Sequence, residues 1–182
     1  MASTAADVSD FWFSDHGPED WFSGSPDFDV RVRAQLGDLH ARAVRSELWE
    51  WRNSADGRLA EIILLDQVSR QLHRGEGQAF AADTMALALA QEMIAQGMDA
   101  PMDVNHKLFV YMPFQHAESL VIQEQSLRLF EAMGSDDYME YARAHHETIA
   151  RFGRFPFRNG ALGRPSTPDE LAYMKANEGR AY

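Results

Sequence analysis

Apolar positions along this chain recur at helical spacing, and no stretch shows the alternation of a half-buried strand. Phe28, Val32, Leu36 and Leu39, continued by Ala43, form one face of a helix over residues 27–51. Ser25 or Asp27 suits its N-cap and Pro26 its first turn. A turn over residues 53–57 leads to a helix over 58–73. There Ile62, Ile63, Leu64 and Leu65 are apolar nearly all round, which predicts burial in the middle of the fold. The next helix covers 83–96, with Asp83 as N-cap and Gly97 just past its end. A shorter helix or turn over 103–111 is expected to stop at Pro113. Two longer helices follow, 114–133 and one from Tyr138 to Phe152. The first aligns His116, Leu120, Gln123, Leu127 and Phe130; the second aligns Tyr138, Tyr141, His145, Ile149 and Phe152. The short link at Gly134 makes them antiparallel neighbours. Gly153 and Pro156 end the second, and Thr167 and Glu170 frame a capping box that opens a last helix to Ala176. Near the start, two Trp-Phe pairs flank a Gly-Pro turn within residues 8–22, a pattern that anchors the N-terminal segment. The expected fold is all-α: one helical domain over 1–182, an irregular array of helical hairpins of tetratricopeptide-like kind without a clean internal repeat.

Composition narrows the function classes. With 182 residues, 45% hydrophobic, the chain is long enough for a sizeable core. Its 17 basic residues face 28 acidic ones, a net charge of −11, which argues against nucleic-acid binding. Cysteine is absent, so disulfides, iron–sulfur clusters and thiolate zinc are excluded. No histidine–carboxylate set has diagnostic metal spacing, so neither a metal nor a cofactor is expected. No secretory signal is visible and no apolar run approaches the ~20 residues of a membrane span, so a cytoplasmic protein that does not enter membranes is expected.

One basic patch stands out from this acidic background. Arg151, Arg154, Arg158 and Arg164 alternate with Phe152, Phe155 and Phe157, without an acid among them. Guanidinium forks grip carboxylates and phosphates, and aromatic neighbours shield such a grip from water. The competing reading pairs these arginines with the chain's own surplus of acids. Asp66 and Arg70 sit four apart beside the buried run, with His73 and Arg74 following. His145 and Gln123 lie on apolar stripes, where a polar group must find partners. The candidate ligand-binding set is therefore Asp66, Arg70, His73, Arg74, His116, Glu118, Gln123, His145, Arg151, Arg154, Arg158 and Asn159. Arg151 and Arg154 are expected close to His116 and Glu118, and His145 within reach of Gln123 rather than His116. The leading expectation is a pocket lined by Arg70, His116, Gln123, His145, Arg151, Arg154 and Arg158 that binds a small anionic ligand or a peptide carboxylate. A hydrolase with His116 or His145 as base, and Glu118 as a further catalytic candidate, is the second reading. A protein-interaction scaffold is the third. Self-association is carried as a further partner class.

The same residues resemble the bacterial DUF924 family, whose members have a tetratricopeptide-like helical fold. The likeness covers Phe11, Trp12 and Phe13, Trp21 and Phe22, Trp51, and Leu65, Asp66 and Gln67 with Arg70 and His73. It continues through Phe80, Asp83, Pro113, Phe114, His116, Glu118 and Gln123. Its most specific part is His145 with Ile149 to Pro156, then Arg158, Asn159, Leu162 and Arg164. Two positions depart from the family pattern: Ser69 where proline is usual, and Phe157 where histidine is usual. The resemblance implies the fold and supplies no substrate. A family site that used the histidine would be altered at Phe157.

Overall fold

The computed structural model describes residues 3–178, and all regular structure among them is helical. The chain divides into two compact units: one made of residues up to Arg74 with Gln78–Val110, the other of Gly75–Gly77 with the residues from Tyr111 onward.

The first unit begins with α1 (Ala5–Ser9), a π-helical turn at Asp10–Ser14, and α2 (Pro18–Trp21). Its aromatics do anchor the N-terminal segment. Trp12 is fully buried, its ring 6.4 Å from Trp21, 6.0 Å from Phe28 and 5.5 Å from Phe109. The Trp21 indole N–H donates to the Trp12 carbonyl at 2.8 Å. Helix α3 (Pro26–Val44) buries Phe28, Val32, Leu36, Leu39 and Ala43, the predicted stripe. It stops short of residue 51 because Ser46 takes a left-handed φ of 59°, after which Trp49–Asn53 forms a 3-10 turn.

Next come α4 (Ala55–Ile63), a π-helical turn (Leu64–Val68) and α5 (Ser69–Leu72), one continuous run. Ile62, Ile63, Leu64 and Leu65 have no exposed surface, as their all-round apolarity predicts. The run starts within the expected turn because Ser54 Oγ accepts the Gly57 N–H at 3.1 Å. Gly57 is required by close approach: a Cβ there would stand 2.3 Å from the Trp51 carbonyl oxygen. Gly57→Ala is therefore expected to destabilise the fold by about 1–3 kcal/mol in urea unfolding. A change of only a few tenths would mean that the Trp51 turn moves aside freely. Helix α6 (Asp83–Ala95) and residues 104–110 of α7 (Val104–Gln115) complete the unit.

In the second unit α7 runs through Pro113 instead of stopping before it. The ring removes one N–H, yet the His116 N–H still reaches the Met112 carbonyl at 3.0 Å, so the helix absorbs the proline near its end. The chain leaves helix at 116–119, so the expected single helix from 114 begins only with α8 (Leu120–Met133). Helix α9 (Asp136–Phe152) packs against α8, as their short link predicts. The inner faces are Gln123, Ser126 and Phe130 on α8, and Ala142, His145, Thr148 and Ile149 on α9. Leu120 and Tyr141, placed on those stripes by sequence, are 43% and 62% exposed. Both faces are rotated because small polar residues, Ser126 and Thr148, take inner positions. A 3-10 turn at Pro156–Arg158 leads to α10 (Pro168–Ala176). Its capping box forms as predicted: Thr167 Oγ1 accepts the Glu170 N–H at 3.2 Å, and Glu170 Oε2 accepts the Thr167 N–H at 2.7 Å.

Candidate functional site

In the first unit the buried run builds an ion cluster at its π-helical turn, a distortion that often marks functional positions. Asp66 is 1% exposed and its Oδ1 lies 3.1 Å from Arg70 Nη1. Arg70 Nη1 also donates to the Asp66 backbone carbonyl at 2.6 Å. Asp83 does not cap its own helix: its two oxygens accept from Arg70 Nη1 and Nη2 at 2.9 and 3.0 Å. Gln67 Nε2 donates to Asp66 Oδ2, and the Arg70 guanidinium covers the Phe80 ring at 5.6 Å. Burial opposes the Arg70 charge, but Asp66 and Asp83 outweigh it and hold its pKa above the ordinary value. Both terminal nitrogens of this arginine are committed to carboxylates and a carbonyl of its own chain, and only Nε lies outside those bonds, so it has little to offer an anion. Arg74 is likewise engaged, bidentate to Asp29 at 2.8 and 2.9 Å on the surface.

Sequence reasoning missed two polar features of this unit. Glu61 has no exposed surface and accepts both Arg52 nitrogens, at 2.6 and 2.7 Å. The signal was present as a lone acid inside an apolar run. His40 Nε2 lies 2.8 Å from Ser69 Oγ, with the His73 ring 5.6 Å away. Burial, reinforced by His73, pushes the His40 pKa down to about 4, so the imidazole is neutral at pH 7. Ser69 is one of the two departures from the family pattern; a proline there would have no hydroxyl to offer His40.

The second unit gathers most of the basic patch. Gly153 ends α9 with φ +69°, a conformation that glycine adopts without strain, and turns the chain toward Phe155. Glu118 receives the Phe155 N–H at 2.7 Å and both Arg164 Nη groups at 2.6 and 2.9 Å. Burial raises the Glu118 pKa, but these bonds outweigh it and the carboxyl titrates below its ordinary value. Arg164 also donates to the Phe155 carbonyl and to Asn159 Oδ1, while Asn159 Nδ2 reaches Ser166 Oγ at 3.0 Å. Arg154 pairs with Glu170 at 2.6 and 2.9 Å and donates to the Pro165 carbonyl. Arg151 is half exposed, 3.3 Å from Asp169, with its guanidinium 4.6 Å over Phe152. The expectation that Arg151 and Arg154 would meet His116 is corrected here: Asp169 and Glu170 of the next helix hold them, and Arg164 takes the role beside Glu118. Acids of the chain hold Arg151, Arg154 and Arg164. Phe157, the other departure, meets the Tyr173 ring at 6.2 Å.

Arg158 differs from those three. It is 3% exposed, and its guanidinium sits 4.5 Å over the Phe155 ring. Phe155 meets the His145 ring edge-on at 5.5 Å, and His145 lies 6.1 Å from His116. His145 is thus beside His116, contrary to the expectation that it would not reach it, because His116 lies in the break before α8 rather than on that helix. His145 Nδ1 is 2.8 Å from the Tyr141 carbonyl, which only accepts, so Nδ1 carries the proton. Gln123 has a structural task. Its Nε2 donates to the carbonyls of Gln115 and Ala117 at 2.7 and 2.9 Å, closing the end of α7.

Elsewhere, an open groove of about 560 Å³ runs over the first unit, lined by Asp7, Asp10, Phe11, Asp15, His16 and Arg31 among others. Three carboxylates make it unsuited to an anion. Among the described residues no group of three histidines, aspartates or glutamates could hold a metal, and no helix is long and apolar enough to cross a membrane.

No curated protein matches this chain. A solved structure of a protein of unknown function from Agrobacterium tumefaciens is similar: 38% identity and a TM-score of 0.90, covering 94% of this chain and 97% of that one. Residues 8–178 match the profile described as a bacterial protein of unknown function, DUF924, and with the same helical fold and motif residues in place this chain belongs to that family.

Proposed function

We propose that the second unit binds a small carboxylate-bearing ligand, a metabolite or the end of a peptide, at Arg158, His116 and His145. The observation that carries this reading is a guanidinium 3% exposed, stacked on Phe155 beside two imidazoles that are each 6% exposed. Charged side chains are seldom buried so far, and a cation removed from water attracts an anion more strongly than a surface one. Arg151, Arg154 and Arg164 serve the architecture through Asp169, Glu170 and Glu118, and Arg158 is the most deeply buried of the four.

Thermal shift on the full chain, with acetyl-leucine and inorganic phosphate as probes, tests this. Each tenfold rise in a saturating probe is expected to stabilise the protein by about 1.4 kcal/mol. Arg158→Met should lose the response, and Arg151→Ala should keep it. If neither anion stabilises the unaltered protein, the reading fails. A second reading, a hydrolase, rests on the His145 tautomer: with Nδ1–H committed to Tyr141, Nε2 is the nitrogen suited to take a proton. Hydrolysis of an ester or peptide that falls at saturating substrate in His145→Gln would favour it.

A further inference from the structure

The groove of the first unit has two walls of different character. The N-terminal segment supplies Asp7, Asp10, Phe11, Asp15 and His16; α3 supplies Val30, Arg31, Ala34 and Gln35. Those α3 positions form one stripe, since residues three and four apart are helical neighbours. Val30 is 67% exposed and Ala34, one turn on, is exposed as well, so this wall offers apolar surface that its own chain leaves uncovered.

The facing wall offers acceptors. Asp10 and Asp15 make no side-chain hydrogen bond or ion pair among the described residues. Asp7 uses Oδ2 alone, accepting the Ser3 and Thr4 N–H groups at 2.7 and 2.9 Å and the Ser3 hydroxyl at 3.2 Å. The two lining groups that could repel a cation are both held by Asp20. Arg31 Nη2 donates to Asp20 Oδ1 at 3.2 Å, and His16 Nδ1 lies 2.6 Å from Asp20 Oδ2. The His16 ring is fixed against Phe11 and Phe28, at 4.5 and 5.0 Å.

We propose that this groove docks a basic segment of a partner protein, an extended peptide that alternates lysine or arginine with apolar residues. Successive side chains of an extended chain point to opposite sides, so basic ones face Asp7, Asp10 and Asp15 while apolar ones lie on Val30 and Ala34. The groove is open, about 560 Å³ in volume, whereas a site for a small ligand encloses most of that ligand's surface. A lone cation is held poorly in such a place. A chain that sets several cations against several carboxylates gains from each linked contact. The net charge of −11 adds long-range attraction for a basic partner. This docking site does not depend on the carboxylate reading of the second unit.

Calorimetry on the full chain tests it, with an acetylated and amidated pentapeptide alternating lysine and valine as the probe. Binding is expected, and it should weaken as salt is raised. Asp10→Asn/Asp15→Asn should lower the affinity about tenfold, two surface charge pairs. Asp136→Asn/Asp137→Asn removes the same charge from the exposed first turn of α9 and should change it by less than about twofold. Val30→Lys alters the opposite wall at an exposed position and should also weaken binding, with the melting temperature unchanged. Spermidine, of the same charge as the pentapeptide but without its side chains, should bind about tenfold more weakly. A pentapeptide that does not bind overturns the docking site. So does an equal loss in the two aspartate double variants, which would leave only diffuse attraction by net charge. Spermidine binding as tightly as the peptide would make this a small-cation groove and overturn the peptide assignment.

Discussion

Arg70→Met is expected to lower stability by about 3–5 kcal/mol, because it strands two carboxylates around one buried position. Asp66 is 1% exposed and the Asp83 side chain 16% exposed, so neither is well placed to recruit water once the guanidinium is gone. Methionine fills much of the aliphatic volume, so the loss reports charge rather than a cavity. Asp66→Asn is a milder change. Asp83 keeps its two bonds to Arg70, at 2.9 and 3.0 Å, and the cation stays paired. A loss of about 1–2 kcal/mol is expected there. Urea unfolding of both variants and of Arg70→Met/Asp66→Asn checks the ordering. The double variant should recover part of the single loss, since it removes the charge that Arg70 no longer meets. An Arg70→Met protein within about 1 kcal/mol of the unaltered chain would mean that Asp66 finds relief elsewhere.

The fold class was legible because buried positions repeat at helical spacing over long stretches, as in α3. Helix ends were less legible, for reasons particular to each. Pro113 is a strong local stop, but a proline near a helix end removes only one bond, and α7 runs on to Gln115. Ser46 gives no composition signal for the left-handed turn that ends α3, since serine rarely adopts it. The Asp66–Arg70 pair was visible as an i, i+4 spacing. Its Asp83 clamp was not, because Asp83 also fits a cap, and only tertiary packing decides between the two. In the basic patch the sequence showed which arginines cluster but not which acids answer them. Asp169 and Glu170 lie beyond the patch, and Glu118 precedes it by more than thirty residues. Gln123 shows the same limit from the other side: a buried amide demands partners, and spacing alone does not reveal that they are backbone carbonyls.

Acidification is expected to remove stability in two separable stages. His40 has an ordinary pKa of 6.5 and a folded one of about 4, through burial reinforced by His73. Its Nε2 partner is Ser69 Oγ, and no carboxylate is found among its hydrogen bonds. The unfolded chain takes up a proton near pH 6.5 while the folded chain resists until about pH 4. Stability is therefore full above that window and falls as pH drops through it, by about 1–3 kcal/mol. The second stage belongs to carboxylates held low in the fold. Arg154, then the Thr167 N–H, bring Glu170 to about 2 against the opposing effect of burial. Glu118 is lowered by Arg164 and the Phe155 N–H, also against burial. Their stabilisation is present above the ordinary value of 4.5 and is lost as pH falls through the lowered values, about 2 in the case of Glu170. Melting temperature measured across both windows should show two slopes. His40→Gln keeps a hydrogen-bonding group for Ser69 but does not titrate, so it should flatten the upper slope and leave the lower. Glu170→Gln should flatten part of the lower and leave the upper. An upper slope that survives His40→Gln would assign the first stage to another group and refute the role given to His40.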